Sequence, residues 1–145
     1  VIADAGRRGV VLGLPTDAVI ADRFAADAAT RTIDIHNVPE GWMGLDVGPK
    51  TVADYEAKLR GVKTVVWNGP LGVAEWEPFA HGSNDIARFL AKLDATVVIG
   101  GGETVAMVTE LGLAGEYALV ATGGGASLEF LEGKELPGVA ALLDR

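Results

Sequence analysis

Apolar residues recur along this chain in two rhythms. Short runs of four or five suit strands, and longer stretches with apolar positions three or four apart suit helices. Residues 10–14 and 18–21 are apolar runs separated by Pro15, Thr16 and Asp17, which predicts two short strands or one bent one. Residues 31–35 alternate in strand fashion, Pro39 and Gly41 mark a loop, and residues 44–47 form another extended piece. A helix is predicted over residues 49–59, with Pro49 at its start and Val52, Tyr55 and Leu59 at helical spacing. Residues 63–67 read as a buried strand that ends in Asn68-Gly69-Pro70. Residues 78–93 read as the longest amphipathic helix, with Phe79, Ile86, Phe89, Leu90 and Leu93 on one face.

The pattern then repeats with glycines at the junctions. Residues 97–100 form a strand, Gly100-Gly101-Gly102-Glu103 a turn, and residues 104–108 open a helix. Residues 111–115 form a loop, 117–122 a strand running into Gly123-Gly124-Gly125, and 126–131 and 137–143 two short helices. Strand–helix alternation of this kind predicts an α/β fold, a parallel sheet with helices on both faces. In such a sheet the carboxyl ends of the strands share one edge, where ligands bind. Glycine lets the backbone turn sharply and approach a ligand closely, and the first N–H groups of a following helix point at an anion placed there.

Composition narrows the chemistry. The 145 residues fit one domain, and the absence of cysteine excludes disulfides, thiolate metal sites and thiol nucleophiles. No apolar run approaches the roughly 20 residues of a membrane span, and no signal-peptide layout opens the chain. A cytoplasmic protein with no membrane partner is the expectation. A net charge of −8 argues against nucleic acid as a partner. It also opposes a phosphate ligand unless helix N-termini and magnesium supply positive charge. His36 and His81 have no partner at a telling spacing, Trp67 and Trp76 carry no assigned role, and Glu135 after Lys134 fails the P-loop pattern. Val1 is not Met, and residues 1–8 read as the end of a helix, so the chain is expected to be a fragment.

Five segments match the wording of one family in order and spacing: LPTDAVIADRF, GWMGLDVGPKT, VVWNGPLGVAEWEPFAHGS, VVIGGGETVA and ATGGGASLEFLEGKELPGVAAL. Together they cover nearly the whole chain, and they resemble phosphoglycerate kinase. The resemblance is to the later part of its C-terminal, nucleotide-binding domain, so residues 1–145 are expected to be a partial domain of that kind. The fold it implies is a three-layer Rossmann-like parallel sheet, incomplete at its N-terminal side. The activity it implies is glycolytic phosphoryl transfer between 1,3-bisphosphoglycerate and MgADP, giving 3-phosphoglycerate and MgATP. The cofactors it implies are ATP or ADP and Mg2+. The acid substrate would be held by an N-terminal domain this chain lacks, and a full-length member is expected to be monomeric.

Site residues follow from the same resemblance. Gly44 and the loop Asn68-Gly69-Pro70-Leu71 would line the nucleotide pocket, and Glu75 would hold the ribose hydroxyls. Gly101, Gly102, Glu103 and Thr104 would form the phosphate-binding turn, with Thr104 bonding the phosphates. Glu103 stands where the family usually has an Asp that positions magnesium, a longer arm by about 1.5 Å. Gly123, Gly124 and Gly125 would offer N–H groups to the phosphoryl group in flight. Ala74 stands where an aromatic residue is frequent in the family. With half its site missing, the chain alone is expected to show no turnover, and its incomplete sheet to expose a strand edge.

Two rival readings belong to other classes. Gly100, Gly102 and Ala106 fit a variant fingerprint of a dinucleotide (NAD(P) or FAD) module of a reductase, but the next strand ends Ala121-Thr122-Gly123 without the acid or Arg that a ribose needs. A non-catalytic scaffold fragment predicts a folded chain without nucleotide affinity.

Overall fold

The structure, a computed structural model, describes residues 1–143. Its contacts divide into two units, Val1–Arg60 with Leu71–Gly82, and Gly61–Pro70 with the chain from Ser83 onward.

The first unit begins with a short helix, α1 (Ile2–Arg7), and centres on an antiparallel sheet in the order β2-β1-β3. These strands are β1 (Asp17–Ala21), β2 (Thr30–Asp34) and β3 (Met43–Val47). Strand β1 is the middle one and is buried nearly throughout, whereas β2 lies at the edge and is mostly exposed. The core gathers Ala21, Leu45 and Phe79, with Val19, Ala28, Val73 and Trp76 packed around them. Trp76 meets Phe24 in a tilted pair with ring centroids 4.6 Å apart.

Helix α2 (Pro49–Leu59) follows β3 and has the predicted bounds. Its N-cap is Gly48, which offers no side chain, and the missing acceptor comes from β1. Asp17 accepts from the backbone N–H of Lys50 (3.0 Å) and Thr51 (2.8 Å) and from the Thr51 hydroxyl (2.7 Å). Gly48 permits this approach, because a Cβ there would fall 2.3 Å from the Asp17 carboxylate.

The parallel sheet expected from the alternation is in the second unit. Its strands β4 (Thr64–Asn68), β5 (Thr96–Gly100) and β6 (Leu119–Ala121) run parallel in the order β4-β5-β6. Between them lie α3 (His81–Leu90), whose first two residues belong to the first unit, and α4 (Gly102–Glu110). Two helices follow, α5 (Gly124–Leu131) and α6 (Pro137–Leu143). Helix α4 packs on β5 and β6 and buries Met107 and Val108. Helix α5 lies over the opposite rhythm of the strands, where Val66, Val98 and Leu119 share a cleft of about 440 Å3 with Phe130 and Leu131. Among the described residues no helix is long and apolar enough to cross a membrane.

Three expectations need correction. Residues 10–14 form no strand, and Val10, Val11, Leu12 and Leu14 are exposed. Gly13 interrupts the run and Pro15 ends it, and the Gly13 carbonyl accepts from the Tyr55 hydroxyl of α2 (3.4 Å) instead of from a strand. The long helix over 78–93 is a 3-10 turn (Glu77–Phe79) followed by α3, and α2 with 11 residues exceeds α3 with 10. The break falls at Ala80, and the far end tightens into i→i+3 bonds from Lys92 to Phe89 and from Leu93 to Leu90. Finally, β4 is an outer strand with Thr64 and Val66 exposed, so it is buried on one face instead of two.

Candidate functional site

Parallel register sets the level at which each strand of the second unit ends. Asn68 of β4 pairs with Gly100 of β5, and Gly100 with Ala121 of β6. The three loops that follow therefore leave one edge of the sheet together. The backbones of the second and third then come into contact, which only glycine allows, and the Asn68 side chain of the first reaches both. A Cβ on Gly124 would lie 2.7 Å from Gly101 Cα and 2.6 Å from the Asn68 side-chain oxygen. The same oxygen would be 2.7 Å from a Cβ on Gly101. Gly69 and Gly101 adopt φ of 99° and 88°, the left-handed region in which an L side chain is strained. Asn68 thus sits at the hub of all three loops.

The helices that leave this edge carry no side-chain caps. Gly101 caps α4 and Gly123 caps α5, each without a side-chain hydrogen bond. A glycine-capped N-terminus presents the positive end of the helix dipole and unshielded backbone N–H groups. The chemistry such an edge supports is anion binding by backbone. Within the 123–125 loop, Gly124 is buried and donates its N–H to Thr122 O (2.9 Å), while Gly123 and Gly125 are exposed.

Thr104 belongs to the helix that follows Gly101. It is fully buried in the first turn of α4, and its hydroxyl accepts the N–H of Gly69 at 2.9 Å. Glu103 beside it is exposed, as is Gly102. Among the described residues no three His, Asp or Glu side chains gather into a cluster able to hold a metal ion. A lone exposed carboxylate fits a magnesium ion that keeps most of its waters and is shared with nucleotide phosphates, and does not fit an all-protein cage.

The remaining predicted residues lie in the first unit or at its border. Pro70 ends the second unit's segment and is half-buried, and Leu71 opens the first unit's segment. Gly44 is exposed on β3, opposite Ile20. Glu75 is exposed in the loop before Trp76. His36 and His81 are exposed, and Trp67 is buried with no hydrogen-bond partner for its indole N–H among the described residues.

Sequence reasoning missed two buried carboxylates. Asp17 closes the N-terminus of α2. Burial alone raises its pKa, but the bonds from the Thr51 hydroxyl, Thr51 N–H and Lys50 N–H, with the Lys50 charge, outweigh it and hold the carboxyl below its ordinary value. Asp46, one residue after Leu45, accepts from Gly82 N–H at 2.8 Å near the start of α3. A Cβ on Gly72 or Gly82 would fall 2.4 or 2.6 Å from its oxygen. A signal for Asp17 was present: a helix start reading Gly48-Pro49 lacks any local Ser, Thr or Asp cap and must find an acceptor elsewhere.

Comparison with known proteins adds lineage to this geometry. The family model described as phosphoglycerate kinase matches residues 1–134. A phosphoglycerate kinase of Synechococcus sp. (strain JA-3-3Ab) is 58% identical over 138 residues, 93% of this chain and 34% of the relative. One from Moorella thermoacetica is 51% identical, over 97% of this chain and 36% of the relative. The solved phosphoglycerate kinase of Coxiella burnetii superposes with a TM-score of 0.89 at 40% identity, covering 96% of this chain and 36% of that one. The chain thus spans about a third of the length of the relatives it matches.

Proposed function

This chain belongs to the phosphoglycerate kinase family, and we propose that it supplies the nucleotide-phosphate part of that family's phosphoryl-transfer site. The whole reaction moves a phosphoryl group from the acyl phosphate of 1,3-bisphosphoglycerate to the terminal phosphate of ADP. The bond from phosphorus to the carboxyl oxygen breaks, a new one forms to the β-phosphate oxygen, and 3-phosphoglycerate leaves as a carboxylate. Catalysis of this kind needs positioning and charge stabilisation more than covalent chemistry from the protein. The observation that carries the proposal is the convergence of three glycine loops on Asn68, beside two helix N-termini without side-chain caps.

On this reading the backbone around Asn68-Gly69-Pro70 and Gly101-Gly102 cradles the nucleotide phosphates, and Glu103 meets the Mg2+ that accompanies them. Magnesium, when bound, neutralises phosphate charge. The exposed ends of the Gly123-Gly124-Gly125 loop face the phosphoryl group in transfer. For Gly44, Leu71 and Glu75 the family resemblance carries the proposal, with Glu75 accepting from ribose hydroxyls. Helix dipoles and the metal resolve the tension with the net charge of −8, since neither needs a basic side chain. A compartment in the cytoplasm follows from the same family reading.

The 145-residue chain tested by itself is not expected to turn over, because it matches only about a third of its relatives' length. A calorimetric titration with ADP, with and without magnesium and with NADPH as control, tests the proposal. Saturable ADP binding strengthened by magnesium supports it. Binding of NADPH alone would sink it in favour of a dinucleotide module, and a coupled assay with turnover well above blank would overturn the expectation of inactivity.

A further inference from the structure

A hydroxyl in the first turn of a phosphate-binding helix is expected to face the ligand. Thr104 faces inward. It is fully buried, and its Oγ1 takes the N–H of Gly69 from the neighbouring loop at 2.9 Å. Gly69 has φ 99°, a conformation with no side chain to hold it in place, and it directly follows Asn68 at the hub of the glycine loops. The Asn68–Gly69 peptide is therefore fixed at two points. Its side-chain oxygen sits against Gly101 and Gly124, and its following N–H is tied to α4.

We propose that Thr104 is a positioning residue, acting through Gly69 to hold the 68–70 loop in register with the first turn of α4, and not itself a phosphate ligand. This rests on the nucleotide reading above. The physical argument is one of exposure and occupancy. An oxygen without solvent access that already accepts a backbone N–H is poorly placed to contact a ligand arriving from solvent. The bond it makes instead joins two backbone segments that would otherwise move independently, and preorganised donors bind an anion without a reorganisation cost at the moment of contact.

Substitutions at Thr104 in this chain separate the roles. Thr104→Val keeps the shape and removes the acceptor, and Thr104→Ser keeps the acceptor. Three readouts are needed: hydrogen exchange of the Gly69 amide without ligand, ADP affinity by calorimetry, and a thermal melt. The expected result for Thr104→Val is exchange at Gly69 faster by about tenfold and ADP binding weaker by about tenfold, as one lost hydrogen bond implies. Thr104→Ser should return both to near the unsubstituted values. Unchanged Gly69 exchange with weakened ADP binding would overturn the proposal in favour of direct contact. A lowered melt with ADP affinity unchanged would overturn it in favour of a structural role. If Thr104→Val does not fold, Thr104→Ala carries the same readouts, and failure of both to fold assigns Thr104 to the core. If the unsubstituted, folded chain binds no ADP, the nucleotide reading falls and the positioning role with it. Once that chain is shown to bind ADP, the positioning role alone is overturned either by Thr104→Val binding ADP equally well or by its binding ADP weakly with Gly69 exchange unchanged.

Discussion

Helix α2 in the first unit and helices α4 and α5 in the second begin alike, each capped by a glycine without a side-chain bond. They are completed in opposite ways. At α2 the chain brings its own anion, since the Asp17 carboxylate is buried and takes the N–H groups of Lys50 and Thr51. At α4 and α5 no carboxylate among the described residues caps the helix, and the space is given to the close passage of Gly101, Gly124 and Asn68. The same physical need, an acceptor for orphan amides at the positive end of a helix, is met by protein in one unit and, on the proposed nucleotide reading, left to a ligand in the other. A glycine at a helix start is thus not in itself a binding site. What decides is whether a carboxylate elsewhere in the fold has already filled it.

The largest effect should come from unfilling the closed terminus. Asp17→Ala strips one acceptor from two backbone donors and a hydroxyl, and should cost the first unit about 3 kcal/mol. Urea unfolding followed at Trp42 and Trp76 would report it, and a loss below 1 kcal/mol, against a typical ~1–3 for an orphaned buried group, would break the comparison.

Next comes overfilling the open edge. Gly124→Ala drives a methyl to 2.7 Å from Gly101 Cα, so the loops must part. The expected cost is about 2 kcal/mol of stability and more than tenfold in ADP affinity, read by calorimetry on the folded fraction. ADP binding at undiminished strength would show that the loops need not touch.

A pH titration sharpens the contrast further. The folded carboxyl of Asp17 titrates below its ordinary value of 3.8, so its contribution is fully present above that value. It is lost as pH falls through the lower, folded one, because the folded state then takes up the proton the unfolded state already holds. The first unit should therefore lose stability on acidification below about pH 4, and Asp17→Asn should flatten that dependence. A smaller change is expected from Glu103→Gln, which should erase the magnesium dependence of ADP binding while leaving the fold intact. The smallest belongs to Tyr117→Phe, which removes the bond from the phenol to Ala87 O at 3.0 Å and should cost the second unit about 1 kcal/mol in a thermal melt.

Local signals were the legible ones. The bounds of α2 and α6 could be read because Pro49 and Pro137 mark their starts and apolar spacing runs to Leu59 and Leu143. The glycine loops of the site could be read as breaks at three strand ends. What could not be read depends on partners distant in sequence. Asp17 meets Thr51 across 34 positions, and no local pattern announces that pairing. The antiparallel sheet of the first unit is hidden for the same reason, since β1 takes β2 and β3, and not the apolar run 10–14, as neighbours. Phe79 follows the helical spacing of Ile86 and Leu90, yet it packs with Ala21 and Leu45 because the backbone breaks at Ala80. Thr104 was placed in the right turn, but its buried bond to Gly69 is a matter of side-chain direction that spacing does not reveal.

The most direct test of an open and a closed helix terminus in one chain is an amide NMR titration with ADP and magnesium. The account predicts saturable shifts at Gly69, Gly101 to Thr104 and Gly123 to Gly125, with the amides of Lys50 and Thr51 unmoved. Shifts centred on Lys50 and Thr51, or a folded chain whose glycine-loop amides ignore the nucleotide, would contradict it.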